Sequence, residues 1–358
     1  MSSFQGFGSR LGPVPGEIVA RLGRIDRAAG QAELYRRQMP GLLDHLRDNA
    51  QVESVEASSA IEGVTAPRAR AEAVIRNPEE RPRNRSEAEL RGYSNALTYV
   101  FGEGWAERRV SVGVILHLHR MLYEPTGLVG AGQFKTSDNV VVDRDASGRR
   151  RVRFHPVAAA QTPAATKDLV ETYVTVLGRE EHHPLIVVAA FVLDFTVIHP
   201  FADGNGRVSR LLTNLLLGHH GYDAGRYVSL ERQIERTQGR YYAALHASTS
   251  GWHEGTHDLW PWINHFTDVL AVVYERFVDQ AEQVRSRGSK SERVRRHLES
   301  HAQRSFTMAD LRSALPGISD ATIKLVLNQL RRDGLVEATT GRTARWTWVS
   351  KRRTSAEG

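Results

Sequence analysis

His199-Pro200-Phe201-Ala202-Asp203-Gly204-Asn205-Gly206-Arg207-Val208-Ser209-Arg210 sets a base, a carboxylate, a glycine turn and two guanidinium groups in one short stretch. Pro200 ends any helix arriving from Ile198, because its ring removes a donor and blocks the ladder. His199 is thereby left at a helix end, facing the loop. Gly204 and Gly206 admit backbone angles closed to other residues, so successive N–H groups can turn inward as an anion nest. A helix starting at about Gly206 adds its positive end to that nest. Arg207 and Arg210 are three apart, so they project from one face of its first turns. Asp203 supplies a hard oxygen suited to Mg²⁺, the usual companion of nucleotide phosphates. These parts describe a polyphosphate cradle with a base beside it. No Lys-Ser/Thr follows the second glycine and no strand precedes it, so the string is not a Walker loop.

Two apolar runs must hold this loop. Residues 184–198 are almost wholly apolar, which predicts a helix of about four turns buried all round. After the loop, Val208, Leu211, Leu212, Leu215 and Leu216 recur at helical spacing. Earlier in the chain, Ser58 and Glu62 stand four apart on one helical face, with Gly63 as a natural stop.

The string from His199 to Arg210 resembles the Fic-family signature, His-Pro-Phe-x-Asp/Glu-Gly-Asn-Gly-Arg-x-x-Arg, at every motif position. Most Fic proteins transfer AMP from ATP to a hydroxyl of a target protein. The resemblance implies that His199 takes the proton of the attacking hydroxyl and that Asp203 holds Mg²⁺. It implies that Gly204, Asn205, Gly206 and Arg207 grip the phosphates and that Arg210 meets the γ-phosphate. Residues 55–64 resemble the family's inhibitory motif, Ser/Thr-x-x-x-Glu-Gly/Asn. In that resemblance Glu62 pairs with Arg210 and takes the place of a phosphate contact, with Ser58 as the motif's hydroxyl.

The β-branched run Val140–Val142, turn residues at 145–148 and Arg151-Val152-Arg153-Phe154 predict a β-hairpin. Its place resembles the Fic flap, a hairpin over the site's mouth that aligns the target by strand addition. On the resemblance, Val141, Val142, Tyr241 and Tyr242 border the ATP. Neighbouring tyrosines on a helix face different ways, so one of the pair meets the adenine directly. Lys135 stands where the family often has Arg, and His155-Pro156 replaces a Pro-Pro. In this reading neither departure touches the chemistry.

The chain has 358 residues, 41% of them hydrophobic, enough for a substantial core in two or three domains. It has no cysteine, which excludes disulfides and thiolate metal sites and is compatible with a reducing cytoplasm. No apolar run reaches membrane-spanning length, and the N-terminus lacks a signal-peptide pattern. Cytoplasmic residence is the expectation, with no membrane partner. His253 and His257 are four apart, but Gly255 and Thr256 between them argue against a rigid zinc site.

Charge is uneven. Residues 281–358 carry a net +8 and the rest a net −1. Ser286, Gly288, Ser289 and Ser291 read as a linker before that basic part. Beyond it, helices are expected at 291–301, 307–315 and 319–333, then a hairpin with its turn at 339–342. Thr307 with Asp310, and Ser319, are the caps. The pattern resembles the winged helix-turn-helix often attached to Fic domains, whose third helix would enter a DNA groove with Arg342 or Arg345 near the backbone. Residues 1–10 and 351–358 are expected to be mobile, and 77–85 to form an exposed loop.

The expected fold is mainly α: a Fic helical core with a short β-hairpin flap, plus a C-terminal winged helix-turn-helix. The expected divisions are 1–105 for the inhibitory helical region, 106–280 for the Fic core and 288–350 for the winged helix. The function so implied is a Mg²⁺-dependent, self-inhibited protein adenylyltransferase using ATP. Its partners would be a target protein with a Ser, Thr or Tyr hydroxyl, DNA, and a second copy in a homodimer. A DNA-binding regulator that senses nucleotide and an enzyme that removes AMP are the alternatives.

Overall fold

The apolar run at 184–198 is a helix, Pro184–Ile198, and nearly every side chain on it is buried. Such a helix has no solvent face, so neighbours must cover it on all sides. In this computed structural model, which describes residues 3–38, 40–102, 104, 109–144, 150–301, 305–339 and 345–349, they do. The chain divides into two compact units, residues 1–278 and 279–358.

In the first unit α1 (Phe7–Leu11) and α2 (Gly16–Gln38) lead into α3 (Pro40–Ile61), the helix that carries Ser58. Next come α4 (Arg68–Arg76), α5 (Arg85–Phe101) and α6 (Val112–Tyr123). A hairpin follows, β1 (Val141–Arg144) paired antiparallel with β2 (Arg150–Phe154), with Val142 opposite Val152. Its expected turn at 145–148 lies outside the described residues. Then come α7 (Thr162–Gly178), α8 (Pro184–Ile198), α9 (Asn205–His219), α10 (Leu230–Arg236) and α11 (Gln238–Thr249). α8 packs against α7, α9 and α11, while α5 packs against α3, α4, α6 and α9. α5 approaches α6 through Gly92, where a Cβ would collide with the Leu122 carbonyl.

Two expectations need correction. The first residues are anchored from Ser3 onward. Phe4, Phe7 and Leu11 are buried, and Ser3 bonds Asp194 through its hydroxyl and its N–H, the latter at 3.2 Å. Asp194 is the one carboxylate on apolar α8. Burial raises its pKa to about 6 against the hydrogen bonds from Ser3 and Trp252. The segment is held because it hides three large apolar groups and supplies donors to a buried acid.

The second correction concerns the linker. α12 (Trp260–Ser300) is continuous through 286–291. The serines and glycine there lower helix propensity by only about 0.5–1 kcal/mol each, and Arg, Glu, Gln and Lys around them are good helix formers. The second unit continues with α13 (Met308–Ala314), opened by the expected Thr307–Asp310 capping box, and α14 (Asp320–Arg332), capped by Ser319. β3 (Val336–Ala338) pairs antiparallel with β4 (Trp346–Trp348). Leu298, Leu311, Ile323, Leu327 and Leu330 form its core. Arg345 lies there, donating to Ser305; Arg342, the 340–342 part of the turn and residues 351–358 lie outside the described residues. The 77–84 segment is the expected loop, fastened by Arg91 to the carbonyls of Asn77, Pro78 and Glu80.

Candidate active site

His199 caps α8 in the left-handed region, at φ 51 and ψ 60. A residue with a Cβ reaches this region at roughly 1–2 kcal/mol, so the surroundings must hold it there. Its ring Nδ1 lies 3.1 Å from the Thr196 carbonyl. A carbonyl only accepts, so Nδ1 carries the proton and Nε2 keeps its lone pair. Burial lowers the ring's pKa to about 4; Lys135 lowers it too, against the Thr196 bond, Glu62 and Asp203. The imidazole is therefore neutral at neutral pH.

The loop after it is fixed from within. Asn205 accepts from the Phe201 N–H at 2.9 Å and donates to the Phe201 carbonyl at 2.8 Å. Gly204, at φ 80, donates to Asp203 Oδ1 at 2.6 Å. His119 supports the loop from below, stacked on Phe201 at 3.9 Å between ring centres. Its Nδ1 accepts from Gly132 N–H at 2.8 Å, so its Nε2 donates to the Asp203 carbonyl at 3.2 Å. Burial holds this imidazole neutral too, with a pKa lowered to about 4.

The two arginines part. Arg210 enters the cleft, donating from Nε to Ser58 Oγ at 2.8 Å and from Nη2 to the Ser58 carbonyl at 2.9 Å. The same Nη2 pairs with Glu62 at 2.8 Å. Burial works against the Arg210 charge, but Glu62, Tyr241 and Tyr93 more than restore it, so its pKa is raised. Gly206 faces this pair closely enough that a Cβ would strike the Glu62 carboxylate. Arg207 turns the other way. Only 2% exposed, it pairs with Glu89 on α5 and donates to Tyr123 Oη on α6 at 2.6 Å. This corrects the expectation that both project from one face: Glu89 and Tyr123 offer a buried acceptor pair that captures the first guanidinium.

A cleft of about 300 Å³ opens over His199. Of the expected residues, His199, Gly206, Arg210, Tyr241, Tyr242, Val141, Val142 and Glu62 line it. Ser58, Asp203, Gly204, Asn205 and Arg207 are not on its wall. Ser58 grips Arg210 from behind, and Asn205 locks the loop. Asp203 stands beside the loop with its side chain 61% exposed. Arg153 and Phe154 of the expected hairpin strand also line the cleft, as do Thr196 and Thr249, which no motif singled out. Arg153 lies 5.1 Å over the Tyr242 ring, joining the hairpin to α11. Phe154 stacks on His253 at 5.3 Å. Lys135, read as remote from the chemistry, lies against the His199 loop. The helical register of the second motif and the strand pattern of the hairpin were legible; these cross-chain contacts carry no local signal.

Fold and site together define a helical protein with a base-and-guanidinium cleft at a helix–loop–helix junction, partly roofed by a hairpin. Residues 109–217 match the Fic/DOC family. Among curated proteins, the chain is 27% identical over 174 residues to "Protein adenylyltransferase fic-1" of Caenorhabditis elegans, covering 47% of this chain and 29% of that protein. A Fido domain-containing protein of Dictyostelium discoideum is 34% identical over 86 residues, which are 24% of this chain and 58% of that one. The chain thus spans less than a third of the length of its C. elegans relative. Among solved structures, a Fic family protein from Desulfovibrio desulfuricans superposes with a TM-score of 0.63 at 23% identity, over 95% of this chain and 98% of that one. Fic-1 from C. elegans gives 0.57 at 20% identity, over 74% of each chain. These likenesses establish the fold.

Proposed function

We propose that the protein transfers AMP from ATP to a Ser, Thr or Tyr hydroxyl of a target protein, and that Glu62 restrains it. The observation that carries this reading is the neutral His199 ring, its Nδ1 held by Thr196, in a cleft shared with the Arg210–Glu62 pair. The relatives named as protein adenylyltransferases support the same chemistry. In the step proposed, His199 Nε2 takes the hydroxyl proton while the oxygen attacks the α-phosphorus. The bond to the β-phosphate breaks and pyrophosphate leaves. Such transfers depend on positioning and charge stabilisation, here from the amides around Gly206 and from Arg210.

Asp203 fits Mg²⁺. The ion, bound to nucleotide phosphates, needs only one or two carboxylates from a protein, and Asp203 presents an exposed one beside the loop. When bound, Mg²⁺ would neutralise phosphate charge and steady the leaving pyrophosphate. Glu62 occupies the guanidinium that a γ-phosphate would use, and the partly buried pair is worth roughly 1.5–3 kcal/mol. Glu62 also faces the cleft, where its carboxylate can orient a water. AMP removal is therefore the second reading of the same residues. For the second unit we propose a winged helix that takes DNA along α14.

The test is mass spectrometry of purified protein incubated with ATP and Mg²⁺. Glu62→Gly should raise the yield of protein carrying AMP about tenfold or more over the wild type, and adding His199→Ala should abolish it. Equal labelling of wild type and Glu62→Gly removes Glu62 from the inhibitory role. No adduct from Glu62→Gly, on itself or on lysate proteins, overturns the transferase reading.

A further inference from the structure

The segment before the hairpin holds the loop around His199 from outside. Lys135 is 5% exposed. Its backbone N–H donates to the Pro200 carbonyl at 2.9 Å. Its ammonium donates to the Ile198 carbonyl at 3.3 Å and to Asn139 Oδ1 at 2.9 Å. Asn139 Nδ2 in turn donates to the Phe201 carbonyl at 3.1 Å. The carbonyls of residues 198, 200 and 201 are thus all taken from one segment. They bracket the one loop residue with a Cβ that sits at positive φ, where a free backbone would relax away.

We propose that Lys135 is the positioning residue for His199: it pins the carbonyl preceding the imidazole and sets a fixed positive charge beside the ring. This deepens the transferase reading and rests on it. A cation beside a general base keeps a proton off the ring, leaving Nε2 free to accept one. The charged groups acting on the ring are Lys135 from this segment, Glu62 from the end of α3 and Asp203 from the loop itself. Of these only Lys135 opposes protonation. Arg210, in the same cleft, is paired with Glu62. The acid acting on Lys135 is Asp138 on its own segment; burial outweighs it and lowers the lysine pKa to about 8. The ammonium is still mostly charged at neutral pH.

The experiment uses the full chain carrying Glu62→Gly, with Lys135→Met, Lys135→Arg and Asn139→Ala added singly. Lys135→Met should lower kcat for AMP transfer about tenfold or more and leave the KM for ATP within about twofold. The acid limb of its rate profile should move to higher pH, and Lys135→Arg should restore both rate and profile. Asn139→Ala keeps the charge and loses one clamp, so it should slow transfer without moving the profile. A readout independent of activity is the NMR titration of ¹³C,¹⁵N-labelled histidine, with His199 assigned by its loss in His199→Ala. Its midpoint should rise in Lys135→Met. An unmoved midpoint overturns the proposal, as does a rate loss that Lys135→Arg leaves unrescued. If Lys135→Met does not fold, the proposal stands or falls on Lys135→Arg keeping the wild-type midpoint while Asn139→Ala slows transfer. If Glu62→Gly forms no adduct, the transferase reading fails by itself, and the titration still judges Lys135.

Discussion

Arg207 and Arg210 show how one side-chain partner decides the role of a residue. Spacing puts both on one face of α9, yet Arg210 reaches the cleft and Arg207 is drawn into the α5–α6 wall. Buried ion pairs are weak sources of stability when intact but costly to break from one side. Arg207→Ala should destabilise the protein by about 3 kcal/mol, the low end for such breaks, because Arg85 still reaches Glu89 at 2.8 Å. Urea unfolding measures this, and Arg207→Met with Glu89→Leu should recover much of the loss. An unchanged urea midpoint for Arg207→Ala would show that the pair carries no structural weight. At this scale the sequence was legible where partners are close in the chain or carried by a resembled motif, as for Ser58, Glu62 and Arg210. Lys135 and Glu89 were not legible. Their partners lie 63 and 118 residues away, and nothing local in a lysine or glutamate announces such a contact.

Among the elements, the strongest periodicities gave the truest readings. α8, α9, the hairpin strands and the capped α13 all fall where apolar spacing and cap residues put them. The linker at 286–291 failed because serine and glycine were read as breaks. A helix already nucleated on both sides absorbs them, since propagation is far easier than nucleation. α14 carries the prediction for the second unit. Its buried stripe is Ile323, Val326, Leu327 and Leu330, while Lys324, Asn328, Arg331 and Arg332 are exposed. A helix so divided presents cations and an amide to a partner, which suits a DNA groove and its phosphates. Fluorescence anisotropy of the full chain with duplex DNA should show affinity falling steeply between ~50 and ~200 mM salt. Lys324→Ala and Arg331→Ala should each flatten the log–log salt slope by about one if each meets a phosphate. Salt-independent retention, or slopes unmoved by both variants, would remove α14 from DNA contact.

For the whole molecule, the sequence showed the division of charge, and the two compact units meet close to the same point, at 278/279. What it could not show is how many imidazoles the first unit buries without protons. His119, His199, His257 and His265 all have pKa values lowered to about 4, in each case with burial as the main cause. In the unfolded chain these groups titrate at about 6.5. As pH falls through that value the unfolded chain gains protons that the folded one refuses until about 4. Stability is therefore full above the unfolded value and lost across this window. Asp194 runs the opposite way: raised to about 6 by burial, it holds a proton in the folded state that the unfolded chain lacks until about 4. Asp223, also raised by burial, acts in the same sense. His220, also lowered by burial, joins the four, and five groups against two leave the histidines dominant, so the thermal midpoint should be lower at pH 5 than at pH 7. Replacing His119 with Gln keeps a donor and an acceptor but cannot take the proton, and should reduce that difference. Equal midpoints at the two pH values would mean that these imidazoles accept protons without unfolding.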